Sequence, residues 1–132
     1  MLVDSSVWID VLRGKHHDQF RVISTTNEVV TCLPILQEIL QGFDSDPAFR
    51  VARAALSEVR VLEPNMTREL YDDAVDLYRS ARHRGLTIRS SVDCLIAVCA
   101  IRNHETVLHN DRDFDSLAQV SELRAIRFVP TA

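Results

Sequence analysis

With 132 residues, 46% of them hydrophobic and 26% charged, and with few Pro or Gly, the chain suits one ordinary globular core and excludes a disordered or fibrous class. No apolar run approaches the roughly 20 residues of a transmembrane helix, and the N-terminus lacks a basic region leading into a long apolar run, so no membrane span or signal peptide is expected. The net charge of −4 argues mildly against a nucleic-acid partner.

Two features qualify that last point. A cluster of carboxylates binding cations would itself supply much of the negative charge. The basic residues are also bunched, at Arg13, Lys15, His16 and His17 and again at Arg79, Arg82, His83, Arg84 and Arg89, and basic groups around an acidic pit would suit a phosphodiester substrate. Solvated helix ends explain any single one of them equally well. The cysteines Cys32, Cys94 and Cys99 lie in apolar stretches with neither disulfide nor zinc spacing, and read as small buried hydrophobes in a reducing cytoplasm.

Leu2 and Val3 read as the end of a short buried strand, followed at once by Asp4. Ser5 or Ser6 can cap a short helix to about Arg13, with Gly14 as its stop. Residues 17–25 form a helical segment, and the β-branched run from Glu28 to Cys32 is the second strand. Pro34 suits the first turn of a helix striped by Ile35, Leu36, Ile39 and Leu40, with Gly42 ending it. Asp44, Ser45 and Asp46 before Pro47 signal another helix, from about Ala48 to Glu58, burying Phe49, Val51, Ala52, Ala55 and Leu56. Val59 to Leu62 is the next strand.

Thr67 can cap a long helix to about Arg84, with Leu70, Tyr71, Ala74, Val75, Leu77, Tyr78 and Ala81 at helical spacings and Gly85 after it. Following a loop over Ile88 to Ser91, the segment from Val92 to Ile101 is apolar nearly all round and should be a helix packed on most sides. Thr106 to Leu108 is a strand, a short helix runs to about Val120, and Ala125 to Val129 is the last strand. Strands alternating with helices imply an α/β fold with a parallel sheet between helical layers.

Four carboxylates sit where carboxylates are costly. Asp4 and Asp111 each leave the C-terminal end of a strand, where open α/β sheets place their ligands. Glu38 interrupts an apolar helix, and Asp93 opens the most apolar one. Each has an ordinary alternative: an N-cap for Asp4, a solvent-facing position for Glu38, the helix dipole for Asp93 and a turn for Asp111. One acidic pocket accounts for all of them together. Carboxylates without a Cys or His partner at ligand spacing favour hard ions, Mg²⁺ or Mn²⁺, and two such ions about 4 Å apart can stabilise the attacking and leaving oxygens of a phosphoryl transfer. His109 borders the acidic loop and reads as a surface histidine. Trp8 reads as core, and Tyr71 and Tyr78 as a packing or dimer seam.

The run Val3-Asp4-Ser5-Ser6-Val7-Trp8-Ile9, the Pro34 to Glu38-Ile39 helix, the Asp93 to Ile96-Ala97 helix and Asn110-Asp111-Arg112-Asp113-Phe114 occur in order. Together they resemble the PIN-domain ribonucleases, and specifically the VapC toxins of toxin–antitoxin pairs. The resemblance implies a single PIN domain over 1–132 with a three-layer α/β/α fold, its small parallel sheet flanked by helices. Carried over by position, the acidic quartet is Asp4, Glu38, Asp93 and Asp111, with Ser6 as the small hydroxyl residue supporting it. Asp113 is the reserve for the fourth position. The resemblance further implies Mg²⁺-dependent cleavage of structured RNA such as tRNA, with Mn²⁺ as a substitute, dimerisation, and silencing by a cognate VapB-type antitoxin in a hetero-oligomer.

In that chemistry Asp4, Asp93 and Asp111 would hold the metal, while Glu38 holds a second ion or orients the attacking water. Arg13, Lys15 and Arg112 flank the acidic stretches and are the candidates for gripping RNA phosphates. Two other readings stand beside this one. A phosphatase resembling the haloacid dehalogenases would need a second aspartate at the position of Ser6 and a lysine before the last acidic pair, but the lone lysine is Lys15. A PIN-like fold could also serve as a non-catalytic RNA-binding or protein-binding module.

Overall fold

The computed structural model describes residues 1–129. In chain order the elements are β1 (Leu2–Val3), α1 (Ser5–Leu12), α2 (His17–Thr26), β2 (Val30–Cys32), α3 (Leu33–Leu40), α4 (Asp46–Leu56), β3 (Arg60–Leu62), α5 (Arg68–His83), α6 (Ser91–Arg102), β4 (Val107–His109), α7 (Arg112–Gln119) and β5 (Ala125–Arg127). All strand pairs are parallel, in the order β3-β2-β1-β4-β5. The chain walks from β1 to one edge through β2 and β3, then returns past β1 to build β4 and β5. Right-handed crossovers therefore assign α1 to α4 to one face of the sheet and α5 to α7 to the other. None of the described helices is long and apolar enough to cross a membrane.

This order fixes where a ligand can sit. The strand sequence reverses direction between β1 and β4, and an open parallel sheet leaves its crevice at the C-terminal ends of the strands at such a point. Val3 pairs with Leu108, and the Asp4 N–H donates to the Leu108 carbonyl at 2.9 Å. Asp4 and the Asn110–Asp111 turn therefore emerge side by side.

The strands are short because they are wholly inside. Leu2, Val3, Val30, Cys32 and Val107 are buried on both faces, as central parallel strands require. Helix α6 contributes Cys94, Ile96, Ala97, Val98, Cys99 and Ala100 to the core, which explains its nearly unbroken apolar sequence. The cysteines are free and buried; a hydrogen bond to Cys99, followed by burial, pushes the Cys32 thiol up.

Several boundaries differ from expectation. Helix α4 begins two residues early, at Asp46, because Ser45 caps it through the Ala48 N–H and Pro47 fits its first turn. It buries Ala52 and Leu56, while Val51 is 72% exposed. On α5 the buried stripe is Leu70, Ala74, Leu77 and Ala81, and Tyr71 and Val75 stand beside it, half in solvent. Strand β5 ends at Arg127, short of Val129. Gly14 (φ 85°) and Gly85 (φ 75°) follow their helices in the left-handed region that favours glycine, whereas Gly42 has no positive φ and α3 closes on Gln41 in right-handed geometry.

Candidate metal centre

Asp4 caps the helix that follows its own strand. Its Oδ2 accepts the Ser6 N–H at 3.1 Å and the Ser6 hydroxyl at 2.5 Å. The same Ser6 Oγ accepts the Asn110 N–H at 3.0 Å, tying the end of β1 to the turn after β4. The N-cap and pocket readings of Asp4 are thus compatible, since one oxygen caps α1 while the carboxylate faces Asp111. Burial raises its pKa, opposed by the Ser6 hydrogen bonds and reinforced by the charge of Asp111.

Glu38 projects from α3 toward the same edge. Its Oε2 accepts the Ser5 hydroxyl at 3.3 Å, and its pKa is raised by burial and then by the charge of Asp4. Asp93, in the first turn of α6, is 5% exposed. Burial, a hydrogen bond shared with Asp113 and the charges of Asp111 and Asp4 push its pKa up to about 9. Asp111 caps α7 through the Asp113 N–H at 2.9 Å. One oxygen each of Asp93, Asp111 and Asp113 lie within 4.8 Å of one another.

The sequence left Asp111 and Asp113 as alternatives, and the fold brings both into the cluster with different surroundings. Asp113 is 1% exposed and already engaged: its two oxygens accept the Arg89 N–H at 3.2 and 3.1 Å, and Oδ2 also accepts the Ser90 N–H at 3.1 Å. It clasps the entry of α6 to the first turn of α7. Asp111 is more open, with its side chain 30% exposed and Oδ1 paired to Arg89 Nη2 at 3.1 Å.

Among the described residues, Asp93 Oδ2 and Glu38 Oε1 are buried without a hydrogen-bond partner. Orphaned buried carboxylate oxygens, all-oxygen donors, and the burial and mutual repulsion that raise the pKa values of Asp4, Glu38 and Asp93 fit a hard divalent cation.

His109 corrects an expectation. It is fully buried at the end of β4, not on the surface, with its ring 5.3 Å from that of Phe114. Its Nδ1 accepts the Asp111 N–H at 3.2 Å, which leaves the proton of the neutral ring on Nε2, 3.5 Å from Asp115. Burial lowers its pKa, so it acts as a rigid acceptor beneath the Asp111 turn. Trp8 is core, 9% exposed and 5.1 Å from the Phe20 ring.

The basic candidates separate. Arg112 opens α7 beside Asp111 and is exposed. Arg13 and Lys15 lie beyond the C-terminal end of α1, whose eight residues span roughly 12 Å from Asp4's end, so they face a different stretch of surface. Arg89, one member of the second basic bunch and not among the phosphate-gripping candidates, is the guanidinium that touches the cluster. Beyond that bunch, its sequence signal is its place four residues before Asp93, in the loop that opens the most apolar helix. Beside Glu38 a cavity of about 510 Å³ opens, lined by Leu33, Gln37, Gln41, Met66 and Tyr71 among others.

Comparison with known proteins agrees with this architecture. The PIN domain family matches residues 1–120. VapC ribonuclease Mb1587 of Mycobacterium bovis and ribonuclease VapC11 of Mycobacterium tuberculosis are each 32% identical over 97% of this chain and 98% of their own. Among solved structures, VapBC2 from Rickettsia felis, bound to a promoter DNA fragment, has a similar chain at TM-score 0.76 and 14% identity, covering 97% of this chain and 98% of that one. DNA-bound VapBC from Salmonella typhimurium gives TM-score 0.75 and 16% identity over 96% of each chain. The strand order, the acidic edge at its switch point and these relatives lead to one assignment: the chain belongs to the PIN-domain family, in its VapC branch.

Proposed function

We propose that this chain is a VapC-type toxin, a Mg²⁺- or Mn²⁺-dependent endoribonuclease that cuts structured RNA such as tRNA in the cytoplasm and is silenced by a VapB-type antitoxin. We read 1–132 as one PIN domain, working as a homodimer and stored in a toxin–antitoxin hetero-oligomer. The observation that supports the reading is the close approach of Asp93, Asp111 and Asp113 oxygens, within 4.8 Å of one another, with Asp4 and Glu38 coupled to the same acidic edge by their charges and buried carboxylate oxygens left unpartnered. The ribonuclease names of the curated relatives and the VapBC titles of the solved ones support the activity and the partner.

A bound divalent ion would lower the pKa of its water and offset charge on the scissile phosphate. The protein's part is to hold that charge in place. Asp4, locked by Ser6, Asp93, fixed by the α6 helix, and Asp111, fixed by its own cap and by His109, supply the ligand oxygens. Glu38, half-buried with one oxygen free of hydrogen bonds among the described residues, orients water or a second ion. Of the three basic candidates Arg112, next to Asp111 in the chain, is the proposed phosphate contact, and Arg13 and Lys15 would reach only a flanking segment of RNA.

The test is cleavage of total tRNA by wild type and Asp4→Asn, with and without Mg²⁺ or Mn²⁺, mapping product ends. Metal-dependent cuts leaving 5′-phosphates and 3′-hydroxyls, reduced about a thousandfold or more in Asp4→Asn, are expected. Equal activity in the variant would remove Asp4 from the site.

A further inference from the structure

Arg89 is attached to the acidic centre in two separable ways. Its backbone is fixed, because its N–H donates to both oxygens of the buried Asp113 at 3.2 and 3.1 Å. Its side chain is not fixed in the same sense. The side chain is 53% exposed, with Nη2 3.1 Å from Asp111 Oδ1 and Nε 3.7 Å from Asp113 Oδ1. Two of the carboxylates whose oxygens lie within 4.8 Å of one another are therefore also partners of this guanidinium.

We infer that Arg89 exchanges partners: it neutralises Asp111 in the metal-free protein and turns to a phosphate of the RNA once a divalent cation occupies the carboxylates. The inference rests on the nuclease reading of the site. A guanidinium and a dication on the same carboxylates repel each other, and a repulsion of that kind, even screened as in water at about 5 Å, is worth about tenfold in cation affinity. The half-exposed side chain has a long stem with which to leave. What it gains is the phosphate drawn to the same place, which a planar guanidinium can engage with two parallel hydrogen bonds. Because Asp113 also holds the backbone N–H of residue 89, independently of the side chain, the loop stays anchored whichever partner the guanidinium has.

The experiment measures Mn²⁺ affinity by calorimetry without RNA, and tRNA cleavage at saturating Mn²⁺, for wild type, Arg89→Gln and Arg89→Lys, with thermal melts as the folding control. Arg89→Gln should bind Mn²⁺ about tenfold more tightly yet cleave about a hundredfold more slowly. Arg89→Lys keeps the charge and should bind Mn²⁺ as wild type does, with an intermediate loss of cleavage from its single-point contact. A residue that merely braces the loop would weaken both properties when removed. Unchanged or weaker Mn²⁺ binding in Arg89→Gln would overturn the inference, and tighter binding with unchanged cleavage would overturn its phosphate half. Absence of Mn²⁺ binding in wild type would instead sink the underlying reading, and this inference with it.

Discussion

Replacing Asp93 by asparagine should lower RNA cleavage by about a thousandfold or more while making the metal-free protein more stable at neutral pH. The two effects have one origin. Burial, the hydrogen bond shared with Asp113 and the charges of Asp111 and Asp4 raise Asp93 from the ordinary 3.8 to about 9. A folded pKa above the unfolded one means that this residue's contribution to stability is fully present below pH 3.8 and is lost as pH rises toward about 9. At pH 7 the metal-free fold must therefore draw a proton that the unfolded chain does not. Asparagine resembles the protonated acid in shape and can still donate to Asp113, but it needs no proton, so we expect a gain of roughly 1–3 kcal/mol at pH 7 that disappears near pH 4. It cannot offer an anionic ligand. Chemical denaturation at both pH values, with EDTA present, checks the stability effect, and a loss of stability at pH 7 would contradict it.

The second large effect separates two neighbours that the sequence could not. Asp113→Ala should cost about 2–4 kcal/mol, because it strands the N–H groups of Arg89 and Ser90 at the entry of α6. Asp111→Ala should cost only about 1 kcal/mol, the usual value of an N-cap, and still abolish Mn²⁺ binding. Asp113→Asn retains an acceptor for those N–H groups, so it should recover most of the stability and keep measurable Mn²⁺ affinity. If instead Asp113→Asn melts normally and binds no Mn²⁺, while Asp111→Asn binds as wild type does, the ligand and the clasp have been assigned the wrong way round.

Much of this was legible in the residues because the signals were local. Pro34 and Pro47 at helix starts, Gly14 and Gly85 at helix ends and the unbroken apolar run of α6 mark their elements directly. Asp4 and Asp93 were conspicuous because each stands beside residues bound for the core. The rest depended on relations that a sequence does not carry. His109 looked like a loop residue because β4 is only three residues long and its burial comes from Phe114 and the neighbouring strand. Val51 and Val75 are apolar and fall in the helical pattern, but the helices turn them outward. Arg89 was one cation in a basic bunch until the packing of α6 against α7 set its guanidinium on Asp111. Arg13 and Lys15 follow the Asp4 stretch in sequence but lie a helix length away in space.

The central claim, that the acidic edge is shaped for a divalent cation, is tested most directly by counting protons. Asp93, at about 9, is protonated in the metal-free protein at pH 7 and must ionise to become a ligand. Calorimetric titration of wild type with Mn²⁺, repeated in buffers of different ionisation enthalpy, should show about one proton or more released per bound cation at pH 7. The number should fall toward zero above pH 9 and affinity should rise over the same interval. Mn²⁺ binding without proton release at pH 7, or no binding at all, would contradict the account.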